Sequence, residues 1–251
     1  MKTCFAENTW TSVRDALQAG RPVIAILPCG ATEAHGPHLP LSTDVIISES
    51  MAAHALAALG ARDYVAGILP SLAYMPAGYA EAFAGTITVS SATAKALLLD
   101  ISKSLKAQGF ACLALANSHF DPANVSMLRE AAKEIRELGI PVAFPDFTRR
   151  ALARTLTAEF QSGACHAGQF ETSLVMAEHP DLVSDAIRRQ LADNPASLTE
   201  AFARGARTFE QAGGPDAYFG YPQNASALEG TQSLKTMAAA LVAAIEEALS
   251  V

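Results

Sequence analysis

Three short stretches of this chain carry side chains able to do chemistry together. In the first, Glu33 and His35 stand two residues apart and Asp44 follows nine residues later. In the second, Asn117-Ser118-His119-Phe120-Asp121, an imidazole and a carboxylate again stand two residues apart. Residues i and i+2 of an extended segment project to the same side, so each pair can face one crevice. Two imidazoles and three carboxylates form a hard, mixed nitrogen and oxygen donor set suited to Zn²⁺, Mn²⁺ or a similar divalent ion. Three carboxylate charges and a hydroxide offset the charge of two such ions, so charge balance favours two metals over one. A third stretch, Cys165-His166-Ala167-Gly168-Gln169-Phe170-Glu171-Thr172-Ser173, opens a helical pattern. His166 there suits acid–base work, and Glu171 suits a metal ligand or a group that orients a histidine.

Each residue also has a plainer reading. Thr43 or Asp44 fits the cap of a helix beginning near Val45. Asp121 before Pro122 fits an N-cap followed by the favoured first-turn proline. Glu171 in a first helical turn fits the helix dipole. None of these readings explains why the loops after strands collect this particular set. His38, His54 and His179 are read as a loop residue near the site, a residue on an Ala-rich helix and a helix-closing residue. Cys165 and His166 make a weak nucleophile pair, because adjacent residues rarely present both side chains to one atom.

The elements that must position these groups follow from the hydrophobic pattern. Val23 to Leu27 is a continuous apolar run, as expected of a strand buried on both faces. Val65 to Leu69, Gly85 to Val89, Phe110 to Ala116 and Ile140 to Phe144 read as further strands. Between them, Val45 to Leu59, Thr93 to Gln108 and Pro122 to Leu138 read as helices, with Gly60, Gly109 and Gly139 as stops. Asn8 to Ala19, Phe170 to Ala177 and Thr231 to Leu249 complete the helices. Alternation of strands and helices implies a single α/β domain built on a parallel sheet. Ligands of such sheets bind beyond the carboxyl ends of the strands, where both acid–imidazole pairs fall. The aromatic, Gly-containing segment Ser71 to Ala84 is the expected substrate-facing loop, and Gly213 to Gly230 a second irregular segment.

Composition narrows the function classes. The 251 residues are 50% hydrophobic and 17% charged, enough to bury a large core, and the formal charge is -7. An acidic chain without a basic tract is not expected to bind nucleic acid. The four cysteines, Cys4, Cys29, Cys112 and Cys165, form no C-x-x-C pair and suit a reduced, cytoplasmic protein. No signal-peptide pattern and no membrane span are read, so no membrane partner is expected. A G-x-S-x-G nucleophile elbow is also missing, which argues against a metal-free serine hydrolase.

The stretch Leu27-Pro28-Cys29-Gly30-Ala31-Thr32-Glu33-Ala34-His35-Gly36-Pro37-His38-Leu39-Pro40-Leu41-Ser42-Thr43-Asp44 resembles the signature block of the creatininase (creatinine amidohydrolase) family. The resemblance continues in Phe83-Ala84-Gly85-Thr86, Asn117-Ser118-His119 and His166 to Ser173, and more loosely in Gly220-Tyr221-Pro222 with Ala225 to Gly230. It implies a three-layer α/β/α sandwich around a mostly parallel sheet, and two divalent ions, zinc or manganese with iron a further option, sharing a bridging water. By position, Glu33, Asp44 and His119 would hold one ion and His35, Asp44 and Asp121 the other, with Asp44 as the bridge and Glu171 the alternative to Asp121. His166 matches the family's proton-transfer histidine. The family commonly forms hexamers, so a homo-oligomer is the expectation.

The chain departs from creatininase in its substrate wall. Its only tryptophan is Trp10, Ser162 stands where a tryptophan is expected ahead of His166, Ser118 replaces a frequent glycine, and Tyr79-Ala80 replaces a Glu-His pair. The expectation is therefore a hydrolase of carbon–nitrogen bonds other than peptide bonds, acting on a small amide, lactam or formamide. Creatinine hydrolysis proper, a peptide-trimming activity and a catalytically silent metal- or ligand-binding role are the alternatives.

Overall fold

The computed structural model describes residues 2–60 and 62–250. Helix α1 (Trp10–Gln18) begins where the Thr9 hydroxyl accepts a hydrogen bond from the Ser12 amide. The chain then alternates through strand β1 (Val23–Cys29), helix α2 (Thr43–Leu59), strand β2 (Val65–Ile68) and helix α3 (Ser91–Gln108). Strand β3 (Cys112–Asn117), helix α4 (Pro122–Glu137) and the short strand β4 (Val142–Ala143) follow. The remainder is helical: α5 (Arg150–Ala153), α6 (Ala158–Ser162), α7 (Gln169–Glu178), α8 (Asp185–Arg188), α9 (Leu198–Ala203) and the long α10 (Ala227–Leu249).

The strands pair in the order β2-β1-β3-β4, all parallel. Central strands β1 and β3 are buried along their whole length, which explains their continuous apolar runs. Their side chains nevertheless alternate between two cores. Ile24, Ile26, Cys112 and Ala114 face a core shared with α2, α7 and α10, whereas Val23, Ala25, Leu27, Leu113 and Leu115 face one shared with α3 and α4. Helices on both faces of one sheet make the three-layer α/β/α arrangement.

The connections explain where a site can form. From β1 the chain runs out to β2 on one side, and from β3 it runs to β4 on the other. The loops leaving β1 and β3 therefore diverge, opening a crevice between the carboxyl ends of two paired strands. Cys29 and Asn117 are partners at that edge, and the signature loop and the His119 loop begin there.

Gly85 to Val89 does not form the expected strand. Only Ile87 makes a ladder-like contact, an isolated antiparallel bridge to Thr32. Its neighbours hold loops by their side chains instead: the hydroxyls of Thr86 and Thr88 accept hydrogen bonds from the Ala34 and Ala77 amides. Ile140 to Phe144 shortens to the two residues of β4, and β1 extends past Leu27 through Cys29. Among the described residues no helix is long and apolar enough to cross a membrane.

Candidate metal centre

The crevice is built by close packing of β1 against α2. A Cβ on Gly30 would lie 2.6 Å from the Val45 amide nitrogen, so only glycine lets the end of β1 touch the first turn of α2. Ser118 ties the second loop to the same place. Its hydroxyl donates to the Asp44 carbonyl at 2.7 Å and lies 2.8 Å from the Ser48 hydroxyl, which in turn donates to the Cys29 carbonyl. The side-chain amides of Asn117 and Asn124 both donate to the His119 carbonyl, which fixes that loop. Asp44 sits in the first turn of α2, where the helix dipole favours a carboxylate, yet its side chain turns into the crevice.

Glu33, His35, Asp44, His119 and Glu171 are all buried. His119 Nδ1 lies 2.9 Å from Asp44 Oδ2 and 3.2 Å from Glu33 Oε1. His35 Nε2 lies 3.3 Å from Asp44 Oδ1 and 3.5 Å from Glu171 Oε2. Donors held about 2.0–2.2 Å from one ion stand about 3.0–3.5 Å from each other, so these spacings are those of ligand sets. One grouping is Glu33–His35–His166, and the two that share Asp44 are Glu33–Asp44–His119 and His35–Asp44–Glu171. Asp44 belongs to both and gives one oxygen to each.

The outer contacts fix which ring nitrogens face inward. His119 Nε2 meets the Pro76 carbonyl at 2.6 Å, and His35 Nδ1 meets the Glu33 carbonyl at 3.1 Å. A carbonyl only accepts, so these nitrogens carry hydrogens and His119 Nδ1 and His35 Nε2 carry lone pairs in the neutral rings. Those lone pairs point at carboxylate oxygens. Acceptor against acceptor is repulsive unless a cation lies between, and His35 Nε2 and Asp44 Oδ2 are indeed buried without hydrogen-bond partners. The residues fit a divalent metal.

The protonation balance says the same. Burial opposes a charge on His35, but Asp44, Glu171 and Glu33 overcome it and push the imidazole up to about 10. His119 is likewise held well above its ordinary value against burial, by Glu33 and Asp44. Burial pushes the Glu171 carboxyl up to about 8. Burial acts upward on Asp44 too, but His35 and His119 outweigh it and hold that carboxyl far below the usual range. Without metal the site takes up protons, and a metal replaces them.

His166 stands beside the donors. Its ring lies 4.3 Å from that of His35 and 4.2 Å from that of Phe209, and its Nε2 donates to the Ala34 carbonyl at 3.0 Å. Burial, then the neighbouring His35, holds it well below the ordinary imidazole value. Ala167, next in sequence, adopts a left-handed φ of 51°. That strained turn directs its amide to Glu171 Oε2 at 2.6 Å.

Creatinine amidohydrolase, or creatininase, is the family whose model matches residues 6–245. The chain belongs to the creatininase family. A creatinine amidohydrolase of Pseudomonas putida is 31% identical over 70% of this chain and 72% of its own length. A mycofactocin precursor peptide peptidase of Mycobacterium ulcerans (strain Agy99) is also 31% identical, over 90% of this chain and 86% of its own. The solved structure of creatininase Mn superposes with a TM-score of 0.75 at 27% identity, covering 98% of both chains. A Zn-Zn type mutant creatininase superposes equally well at 26% identity and the same coverage.

Of the five residues expected as metal ligands, Glu33, His35, Asp44 and His119 lie in the two donor sets that share Asp44. Asp121 stands apart from them. Its carboxylate accepts from the Ala123 amide at 2.7 Å as the cap of α4, and although it lines the pocket it joins neither set. Glu171 takes that place beside His35 and Asp44. The plainer readings of His54 and His179 hold: His54 pairs with Glu178, and His179 caps the end of α7. His38 is fully buried and bonds Thr172, holding the signature loop to α7.

Above the donors the pocket wall is apolar. Tyr79 comes from the expected loop, but Leu198, Phe202 and Phe209 come from α9 and the segment after it. The irregular segment Gly213 to Tyr221 stands behind the pocket: Phe219 packs on Phe209, and the Phe219 amide donates to the His166 carbonyl at 2.8 Å.

Proposed function

We infer that this creatininase-family chain is a metal-dependent amidohydrolase that cleaves a carbon–nitrogen bond on two divalent ions. The observation that carries this reading is the sharing of Asp44 between two buried donor sets whose lone pairs face one another. Creatininase structures named for Mn and for Zn-Zn occupation support the choice of ions.

Glu33, Asp44 and His119 would hold one ion, and His35, Asp44 and Glu171 the other. Once bound, such a pair supplies Lewis-acid polarisation of the amide carbonyl and a water acidified to a pKa of ~7. The chain's own residues do the rest. Pro76 and Glu33 hold the two imidazoles by their carbonyls in the tautomers that ligation needs. Tyr79, Phe202 and Phe209 exclude bulk water from the reacting bond. His166 is neutral at physiological pH, and its Nε2 hydrogen is committed to Ala34. It therefore takes the proton of the attacking water on Nδ1 and passes it to the leaving nitrogen.

The mycofactocin precursor peptide peptidases, similar over about nine-tenths of this chain, favour a second reading in which the amide belongs to a peptide. Both readings use the same centre. Stripping the protein with a chelator, then assaying cyclic amides, linear amides and short peptides before and after adding Mn²⁺ or Zn²⁺, tests them. Activity that depends on added metal is expected. Undiminished activity in the stripped protein would overturn the metal reading, and the preferred substrate decides between small amide and peptide.

A further inference from the structure

The catalytic pocket is narrow: its interior volume is about 50 Å³. A second cavity of about 530 Å³ adjoins it, and Phe120, Cys165, Leu198 and Phe202 line both. The two therefore adjoin at these four side chains. A volume of this size is in the range that holds whole small-molecule ligands, roughly 300–1,000 Å³. Phe147 and Phe160 add further aromatic surface, so the cavity suits a large apolar group.

Its lining is charged differently from that of the catalytic pocket. Arg129 and Arg150 both line it. Arg129 is occupied, bonded to Asp146 and Thr148. Arg150 is exposed, and among the described residues no carboxylate lies within ion-pair distance of it. An unpaired guanidinium at the edge of an aromatic groove matches a ligand that is apolar in its body and anionic at its end.

From this juxtaposition we propose that the groove is a substrate subsite. It takes the large apolar side chain of an N-acyl amino acid or short peptide, whose free carboxylate pairs with Arg150 while the scissile amide lies in the adjoining catalytic pocket. The proposal rests on the amidohydrolase reading and narrows its substrate class. It gives the catalytic pocket only the reacting amide to hold, in keeping with its size, and places selectivity in a groove that none of the proposed metal ligands lines.

The test uses the metal-loaded protein and three probes: acetamide, an N-acetylated aromatic amino acid, and that same compound with its carboxylate capped as an amide. The wild type is expected to give the aromatic acid a kcat/KM at least about tenfold above acetamide, the scale on which apolar pockets discriminate. Arg150→Ala should lower the preference for the free acid over its capped form about tenfold, mainly through KM. Thr199→Trp, an exposed change at the groove lining, should lower the ratio of aromatic acid to acetamide by a similar factor. Equal kcat/KM for all three probes in the wild type, or unchanged ratios in both variants, would overturn the subsite and leave the amidohydrolase reading intact. No turnover of any probe, with acetamide and peptides equally inert, would overturn that reading and the subsite with it.

Discussion

His119 presents Nδ1 to Asp44 Oδ2 at 2.9 Å while its other nitrogen is committed to the Pro76 carbonyl. The mirror arrangement holds on the other side, where His35 Nε2 faces Asp44 Oδ1 at 3.3 Å. One carboxylate therefore divides its oxygens between two imidazoles, each already oriented by a backbone carbonyl. This relationship separates the roles of the surrounding residues, and each role has its own measurable consequence.

His166 stands beside the donor cluster and serves as the acid–base group of the proposed mechanism. His166→Ala should leave the metal content of the purified protein unchanged while lowering kcat about 10²–10⁴-fold, the usual contribution of a positioned acid–base group. Metal analysis beside steady-state kinetics checks this, and loss of metal from the variant would make His166 a ligand instead.

Glu171 and Asp121 divide ligand from cap. Glu171→Ala should remove metal from the set it shares with His35, whereas Asp121→Ala should keep full metal content and cost about 1 kcal/mol of stability, as expected for a lost helix cap. Equilibrium unfolding and metal analysis of the two variants distinguish the roles. Metal loss in Asp121→Ala alone would reverse the assignment.

The pH dependence of the metal-free protein follows from the protons its site holds. Burial opposes charging His35, yet its carboxylate neighbours raise it to about 10, so a proton on it stabilises the fold below the ordinary imidazole value. That stabilisation is lost as pH rises through about 10. Burial raises Glu171 to about 8, so the folded state also keeps a proton that the unfolded carboxyl sheds at lower pH, and stability again falls as pH rises. Metal replaces these protons. The gain in Tm on adding Mn²⁺ should thus be larger at roughly pH 8.5 than at about pH 6, as thermal unfolding with and without metal would read; a gain that shrinks with rising pH is the contrary outcome.

Glu159 holds the helix that carries Glu171. Its buried carboxylate accepts from the amides of Gln169, Phe170 and Tyr221 at 2.7–2.8 Å, joining the start of α7 to the segment behind His166. Glu159→Ala leaves three amides without that partner, and at ~1–3 kcal/mol for each buried unpaired group the variant should lose on the order of 3 kcal/mol. Gly220→Ala should also destabilise, because its φ is +85° and a Cβ there would fall 2.1 Å from Glu159 Oε1. Urea midpoints measure both, and a wild-type midpoint in Glu159→Ala would show the carboxylate to be dispensable.

What could be read from the sequence follows from how local each signal is. The apolar run of β1 and the capped helix that follows it are local, and the parallel sheet follows from their alternation. The gathering of Glu33, His35, Asp44 and His119 could be expected because short loops after adjacent strands bring them together. Asp121 is ambiguous in sequence because a cap and a ligand need the same residue type, and its bond from the Ala123 amide is visible only in the structure. Gly85 to Val89 has a strand's alternation, but its threonine hydroxyls bond loop amides in place of a ladder. Phe202 and Phe209 carry no signal at all: they are ordinary apolar residues far from any motif, and tertiary packing alone makes them a pocket wall. Glu159 is similarly silent, since an acid in a five-residue helix reads as solvent-exposed until its three amide partners are seen.

The most direct test of the account is a calorimetric titration of Mn²⁺ into chelator-stripped wild-type and Asp44→Ala protein. The account predicts two bound ions for the wild type and none for the variant, because both donor sets lose a shared ligand at once. Retention of both ions by a folded Asp44→Ala protein would contradict it.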